Sequence, residues 1–495
     1  MATGKQGAAL APTGTEGLDA ILGGGLPANR VYLVEGIPGS GKTTLALQFL
    51  MEGVRRGEKC LYITLSETEE ELQAVADSHN WSLDGIHIHE STPGGDQLDP
   101  DTQYTMFHPS EVELGSTTRD ILDVVEKLGP DRVVFDSLAE VRLLAGAVLR
   151  FRRQVLALKQ FFNGRNTTVL LIDESHVGDH GLHVHTIVHG VLSLDQLRPE
   201  YGGDRRRLRI AKLRGLRYRS GFHDYRIETG GARVFPRLVA AEHRREGESR
   251  QVPSGSAALD SLLGGGLDSG TGTLLIGPAG SGKSTVAMQF AIAAAERGER
   301  TAFFVFDESV RSLTTRARSV GFPIDRHLDA GTIKVRSVDP GELSPGEFIT
   351  IIREAVERDD ARMVVIDSLN GYLNAMPEER FVRVQLHELL AYLGQLEVTT
   401  LLVSAQQGLI GQMQNQIDVS YLADNVLLLR YFEARGSVRQ ALSVLKKRTG
   451  QHERTIRELC ITDKGLRIGE PLHQFRGILT GVPQEDATPQ AGGAA

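Results

Sequence analysis

Two glycine-rich stretches hold the residues with the plainest chemistry in this chain. Gly36 to Thr43 reads GIPGSGKT and Gly277 to Ser284 reads GPAGSGKS. Both fit GxxxxGK[ST], a loop whose backbone N–H groups close around a phosphate, whose lysine reaches the β and γ oxygens, and whose last hydroxyl ligates magnesium. The candidate nucleotide contacts are Gly36, Pro38, Gly39, Ser40, Gly41, Lys42, Thr43 and Thr44 in the first copy. In the second they are Gly277, Gly280, Ser281, Gly282, Lys283, Ser284 and Thr285. Downstream of each loop an apolar run ends in aspartate, RVVFDS at Asp136 and RMVVIDS at Asp367, so Thr43 with Asp136 and Ser284 with Asp367 are the candidate magnesium sets. No Asn-Lys-x-Asp guanine signature occurs, and the expected ligand is ATP with Mg2+.

Further acids and cations recur in pairs. Glu67 in LSET and Glu308 in FDES each lie 25 residues after their loop lysine, and Asp307 stands beside Glu308. A carboxylate there could orient water or a hydroxyl against the γ-phosphate; the competing reading is a helix cap, since ETEEEL looks like a helix start. Lys212 with Arg214 and Lys446 with Arg448 are each two apart in alternating stretches, so each pair would share a strand face. They could meet phosphates held by a neighbouring subunit, or form a solvated basic strand. The basic run Arg205 to Arg219 could touch nucleic acid, but aromatic interleaving of the single-strand type does not accompany it. Five histidines, His176, His180, His183, His185 and His189, crowd one segment. A polar loop entering a strand is the preferred reading there, with a metal site on a face shared by His183 and His185 as the alternative.

The elements that must position these groups are duplicated. Asp19 and Asp260, Lys42 and Lys283, and Gly57 and Gly298 are all 241 positions apart, so one whole domain is repeated without insertion through this stretch. Each copy predicts a buried strand before the loop (Val31 to Glu35, Thr273 to Ile276), a helix after it that stops at Gly57 or Gly298, and further apolar strands. Strands alternating with helices specify an α/β domain with a largely parallel sheet. The expected layout is a disordered 1–12, a first domain over 13–240, a charged linker over 241–252, a second domain over 253–481, and a disordered tail over 482–495.

Composition narrows the partners. Of the 495 residues 40% are apolar and 24% charged, which suits buried cores, and the formal net charge of −8 speaks against diffuse attraction to nucleic acid or anionic membranes. Two cysteines, Cys60 and Cys460, are too few for a disulfide framework, and no stretch approaches the ~18 apolar residues of a membrane span. A cytoplasmic protein without a membrane partner is expected.

Taken together, these residues resemble the KaiC family, double-domain ATPases and autokinases. The likeness runs from about Pro12 to about Pro483 and includes GTEGLDAILGGGLP, both loops, the acidic strand ends, both Lys-x-Arg pairs and TIRELCITDKGLRIGEPLHQFRGILTG. It implies two tandem RecA-like P-loop NTPase domains stacked as a double ring, hexameric, with ATP between protomers and Lys212, Arg214, Lys446 and Arg448 acting across the interface. It also implies a signalling or clock partner, and serine autophosphorylation in the second domain at Ser420, with Asp307 as base. Four positions depart from the family's pattern: Ser66 replaces an acid, Asp307 is an acid one methylene shorter, Tyr421 replaces a threonine, and Thr449 stands where the family has the glycine seen in the first copy as Gly215. The rival readings are a RecA- or RadA-like DNA-dependent ATPase and a nucleotide-gated scaffold with little turnover.

Overall fold

The computed structural model describes residues 9–91, 109–174, 182–198, 202–243, 250–374, 379–406, 420–479 and 484–485. They form two compact units that divide between Arg237 and Leu238. Each is built on one nine-stranded sheet flanked by helices, so the chain carries two tandem RecA-like α/β domains.

In the first unit the strands are β1 (Val31–Gly36), β2 (Cys60–Thr64), β3 (Ile86–Glu90), β4 (Arg132–Asp136), β5 (Thr168–Glu174), β6 (Gly190–Leu197), β7 (Arg205–Leu213), β8 (Phe222–Glu228) and β9 (Gly231–Phe235). They lie in the order β9-β8-β7-β6-β1-β5-β4-β2-β3. The six from β6 to β3 are parallel, while β7, β8 and β9 add an antiparallel extension. Strand β1 alternates between two cores. Tyr32 and Val34 pack under the helix Lys42–Arg55 with Leu45, Phe49 and Leu50, and Val31 and Leu33 face Phe151, Val155 and Phe162 of the helix Val148–Phe162. Both faces are covered, which is why the central strands read as continuous apolar runs rather than alternating ones.

The second unit repeats this plan with β10 (Gly272–Gly277), β11 (Arg300–Val305), β12 (Ile333–Ser337), β13 (Ala361–Asp367), β14 (Thr399–Ala405), β15 (Asn425–Ala434), β16 (Ser437–Lys447), β17 (Arg457–Thr462) and β18 (Gly465–Pro471). Their order is β12-β11-β13-β14-β10-β15-β16-β17-β18, again six parallel strands and three antiparallel ones.

Several segments differ from what the sequence suggests. Leu10–Ala11, in the stretch expected to be disordered, pairs with Leu26–Pro27, and Ala11 is buried. Leu238 and Ala240 join the core of the second unit, and the Ala240 N–H donates to Glu388 (3.1 Å), so the first domain ends before its expected limit at 240. Gln251–Val252 of the expected linker pairs with Leu267–Asp268, and Gln484–Glu485 of the expected tail pairs with Phe475–Arg476. Residues 1–8, 244–249, 480–483 and 486–495 lie outside the described residues. So do His176 and His180; Leu182–Ile187 is a short helix, so His183 and His185 do not share a strand face.

Candidate nucleotide sites

Each glycine-rich loop joins the carboxyl end of the central parallel strand to a helix N-terminus, the position at which α/β sheets bind phosphates. Gly41 and Gly282 take the N-cap positions with φ 87° and 97°. A side chain at either would meet Ile227 Cδ1 at 2.4 Å or Ile461 Cδ1 at 2.8 Å. Tyr225 of the antiparallel extension donates to the carbonyl of Ser40 (2.5 Å), and the second loop is braced by Tyr431 of the parallel strand β15, which donates to the carbonyl of Ala279 (3.2 Å), and by Gln440 of β16, which donates to that of Gly280 (3.1 Å). Lys42 Nζ turns onto the carbonyls of Gly36 (2.9 Å) and Ile37 (3.1 Å), and Lys283 Nζ onto that of Pro278 (2.6 Å). Burial lowers the basicity of both ammonium groups; for Lys283 it reaches about 8, against the pull of Asp367. A polyanion bound in either loop would reverse that shift.

The strand-end aspartates close the other side. Asp136 and Asp367 are buried, and burial raises the pKa of both carboxyls. The Thr43 hydroxyl lies close enough to Asp136, and the Ser284 hydroxyl to Asp367, to pull each carboxyl's pKa back down against burial. Sequence reasoning missed one difference between the copies. Tyr62 donates to Asp136 Oδ2 (2.6 Å), whereas the position 241 residues later is Phe303 and Asp367 Oδ2 is buried without a hydrogen-bond partner among the described residues. A hydroxyl beside a buried carboxylate with an orphaned oxygen fits a hard cation such as Mg2+, which takes oxygen ligands. Among the described residues no group of three or more His, Cys, Asp or Glu is arranged to hold a metal ion, and His185 instead bonds Glu35 (2.7 Å).

The strand-end acids are not helix caps. Thr68 and Ser309 take that role, each accepting from the N–H three residues on, and Glu67 and Glu308 sit one position earlier. Glu67 is held by its backbone on Thr64 and leaves Oε2 buried and, among the described residues, unpartnered. Burial, then the charges of Asp136 and Glu71, raise its pKa against Lys42, so the carboxyl lies within the influence of the loop lysine and the strand aspartate. In the second unit Asp307 accepts from the Ser368 hydroxyl, and Glu308 is forked onto Arg316 (2.6 and 3.0 Å).

The basic pairs are elsewhere. Lys212 Nζ donates to the carbonyls of His185 and Val188, and Lys446 Nζ to those of Ser420 (3.1 Å) and Ala423 (2.7 Å). Arg214 and Arg448 are exposed. The register fixes their distance from the loops. The Arg214 N–H bonds the His189 carbonyl and the His189 N–H bonds that of Val31, so Arg214 is level with Val31, five positions before Gly36. By the same ladder Arg448 is level with Gly272, five positions before Gly277. At ~3.3 Å per residue each arginine backbone lies roughly 16 Å below its own phosphate loop. Ser420 and Tyr421 sit at that lower end, Ser420 through its bond to Lys446 and Tyr421 through its carbonyl, which accepts from Arg448 (3.4 Å).

Two phosphate loops at the carboxyl ends of parallel sheets, each faced by a buried aspartate, define a tandem nucleotide-binding ATPase. The family model described as "ATPase: KaiC" matches residues 11–239 and 252–473, and the chain belongs to that family. It is 28% identical over 484 residues to the circadian clock oscillator protein KaiC of Thermostichus vulcanus, covering 95% of this chain and 91% of that protein. It is 27% identical over 488 residues to the circadian clock protein KaiC3 of a Synechocystis species, covering 96% and 94%. With KaiC of Synechococcus elongatus the figures are 29% over 483 residues, 94% and 90%.

Proposed function

We propose that this chain is a cytoplasmic, ring-forming ATP hydrolase, six-membered as its relatives' family implies, whose C-terminal domain phosphorylates its own Ser420 and reports nucleotide state to a signalling or clock-type partner. One observation carries the reading. In both domains the loop, the strand-end aspartate and an acid surround one point, while the cationic pair and Ser420 lie at the far end of the same sheet. A chain cannot bring its own Arg214, Arg448 or Ser420 to its own γ-phosphate across roughly 16 Å of hydrogen-bonded strand. A neighbour can supply them, and ATP then sits between protomers.

In this reading Lys42 and Lys283 hold the β and γ phosphates, and Thr43 with Asp136 and Ser284 with Asp367 hold Mg2+, which supplies charge neutralisation when bound. Glu67 orients water in the first domain. Asp307 takes the proton of the serine hydroxyl in the second, and Lys212, Arg214, Lys446 and Arg448 meet phosphates from across the interface. Incubation with γ-labelled ATP followed by site mapping tests it. Label is expected on Ser420 and is expected to vanish in Ser420→Ala and Lys283→Ala, while Lys283→Ala retains ATP binding at Lys42. Hydrolysis with Ser420 unlabelled overturns the kinase half. Assembly on ATP with negligible phosphate release selects a scaffold, and strong stimulation by single-stranded DNA selects a recombination-type ATPase.

A further inference from the structure

The two sites share a backbone plan, yet one helix position sets their acids apart. Glu308 gives both carboxylate oxygens to the guanidinium of Arg316, Nη2 to Oε1 at 2.6 Å and Nη1 to Oε2 at 3.0 Å. Arg316 lines one small pocket with Ser284, Thr285 and Leu313, beside the start of the loop helix, and its charge is felt at Asp367. The matching position in the first unit, 241 residues earlier, is Val75, which packs against the core under the helix Glu69–Ser78. Among the described residues Glu67 accordingly has no guanidinium partner and keeps Oε2 unpartnered.

We propose that Arg316 is a positioning residue that withdraws Glu308 from the attacking water, so that the C-terminal site favours transfer to a hydroxyl over hydrolysis. The inference rests on the reading above that both loops bind ATP. In hydrolysis the water oxygen bonds to the γ-phosphorus, the bond from that phosphorus to the β-bridging oxygen breaks with its electron pair leaving on ADP, and the water's proton passes to a carboxylate. A carboxylate forked onto a guanidinium has both oxygens engaged by N–H donors and is a poor acceptor for that proton. Asp307 is exposed and among the described residues engages the Ser368 hydroxyl alone, so it stays available for the proton of a serine whose oxygen attacks in water's place. In the first unit Val75 leaves Glu67 free for water.

The two residues can be exchanged in the full-length chain. In a Lys42→Ala background, Arg316→Val is expected to raise phosphate release at the C-terminal site by about tenfold or more, a modest share of the ~10²–10⁴ that a positioned base contributes. Fluorescent ATP-analogue binding is expected to hold, and adding Glu308→Gln to abolish the gain. Arg316→Lys, which keeps the charge and loses the fork, is expected to fall between. In a Lys283→Ala background, Val75→Arg is expected to lower release by a similar factor. Dependence of the gain on Glu308 is a result that a merely structural Arg316 would not give. Nucleotide binding retained with phosphate release unchanged or lowered in Arg316→Val overturns this inference alone. Failure of Lys42→Ala protein to bind nucleotide at all overturns both it and the reading on which it rests.

Discussion

His223 in β8 makes the first domain acid-sensitive by a calculable amount. Its ring is buried, with Nε2–H donating to the Arg219 carbonyl (3.0 Å) and Nδ1 accepting from the Arg237 N–H (2.8 Å), a pairing that only the neutral ring can satisfy. Burial, and then the charges of Arg237 and Arg219, depress its pKa to about 4, although its bond to the Arg219 carbonyl opposes this. In the unfolded chain the ring titrates near ~6.5. The unfolded state therefore binds the proton more readily, and stability that is full above pH ~6.5 is lost as pH falls toward ~4. The gap amounts to about 3 kcal/mol when complete, and about 2 kcal/mol of it is gone at pH ~5. Hydrogen exchange at the amides of Phe222–Glu228 and Gly231–Phe235 reads this locally, without requiring both domains to unfold together. Between pH ~7 and ~5 the opening free energy of these strands should fall by about 2 kcal/mol more in the natural protein than in His223→Gln, which does not titrate. Equal pH slopes in the two proteins would refute the assignment of the neutral, buried ring.

Two further outcomes follow from the site geometry. Gly282→Ala places a methyl group at φ 97° and 2.8 Å from Ile461 Cδ1, so the second domain should lose about 1–2 kcal/mol from the left-handed backbone alone and bind ATP more weakly, as measured by thermal shift and nucleotide titration. Arg214→Ala and Lys42→Ala chains should each be poor in first-domain hydrolysis, by ~10³ or more for the arginine if it acts as a finger, yet mixed assemblies should regain activity. Mixtures no better than the average of their parts would place Arg214 outside the neighbour's site.

The loops, the strand-end aspartates and the doubling were legible because glycine loops and long apolar runs carry local signals. Gly41 and Gly282 sit where φ is positive, and β1 and β10 are buried on both faces. What remained hidden depends on contacts made across the fold. The fork of Arg316 onto Glu308 and the bond of Tyr62 to Asp136 need helix and strand docked, although comparing the copies at a spacing of 241 would have exposed Val75 against Arg316 and Tyr62 against Phe303. The stretch Arg205 to Arg219 holds Tyr218 as its single aromatic, yet strand pairing brings Phe222 opposite Arg209, and the guanidinium carbons of Arg207 and Arg209 lie 4.7 and 5.3 Å from its ring centre. Leu238 and Ala240 look like the end of the first domain, but their apolar side chains find burial only in the second.

The separation of each loop from its own arginine has a mechanical consequence. Between them stands a sheet in which β1 is hydrogen-bonded on both sides, to β5 and β6, as β10 is to β14 and β15. Such strands cannot slip by one residue without turning their buried side chains outward. A push delivered at the phosphate end is therefore not absorbed by sliding within the sheet. It arrives at the far end as a tilt of the whole slab, so each domain moves as a stiff lever with the phosphate loop at one tip and the Lys-x-Arg pair at the other.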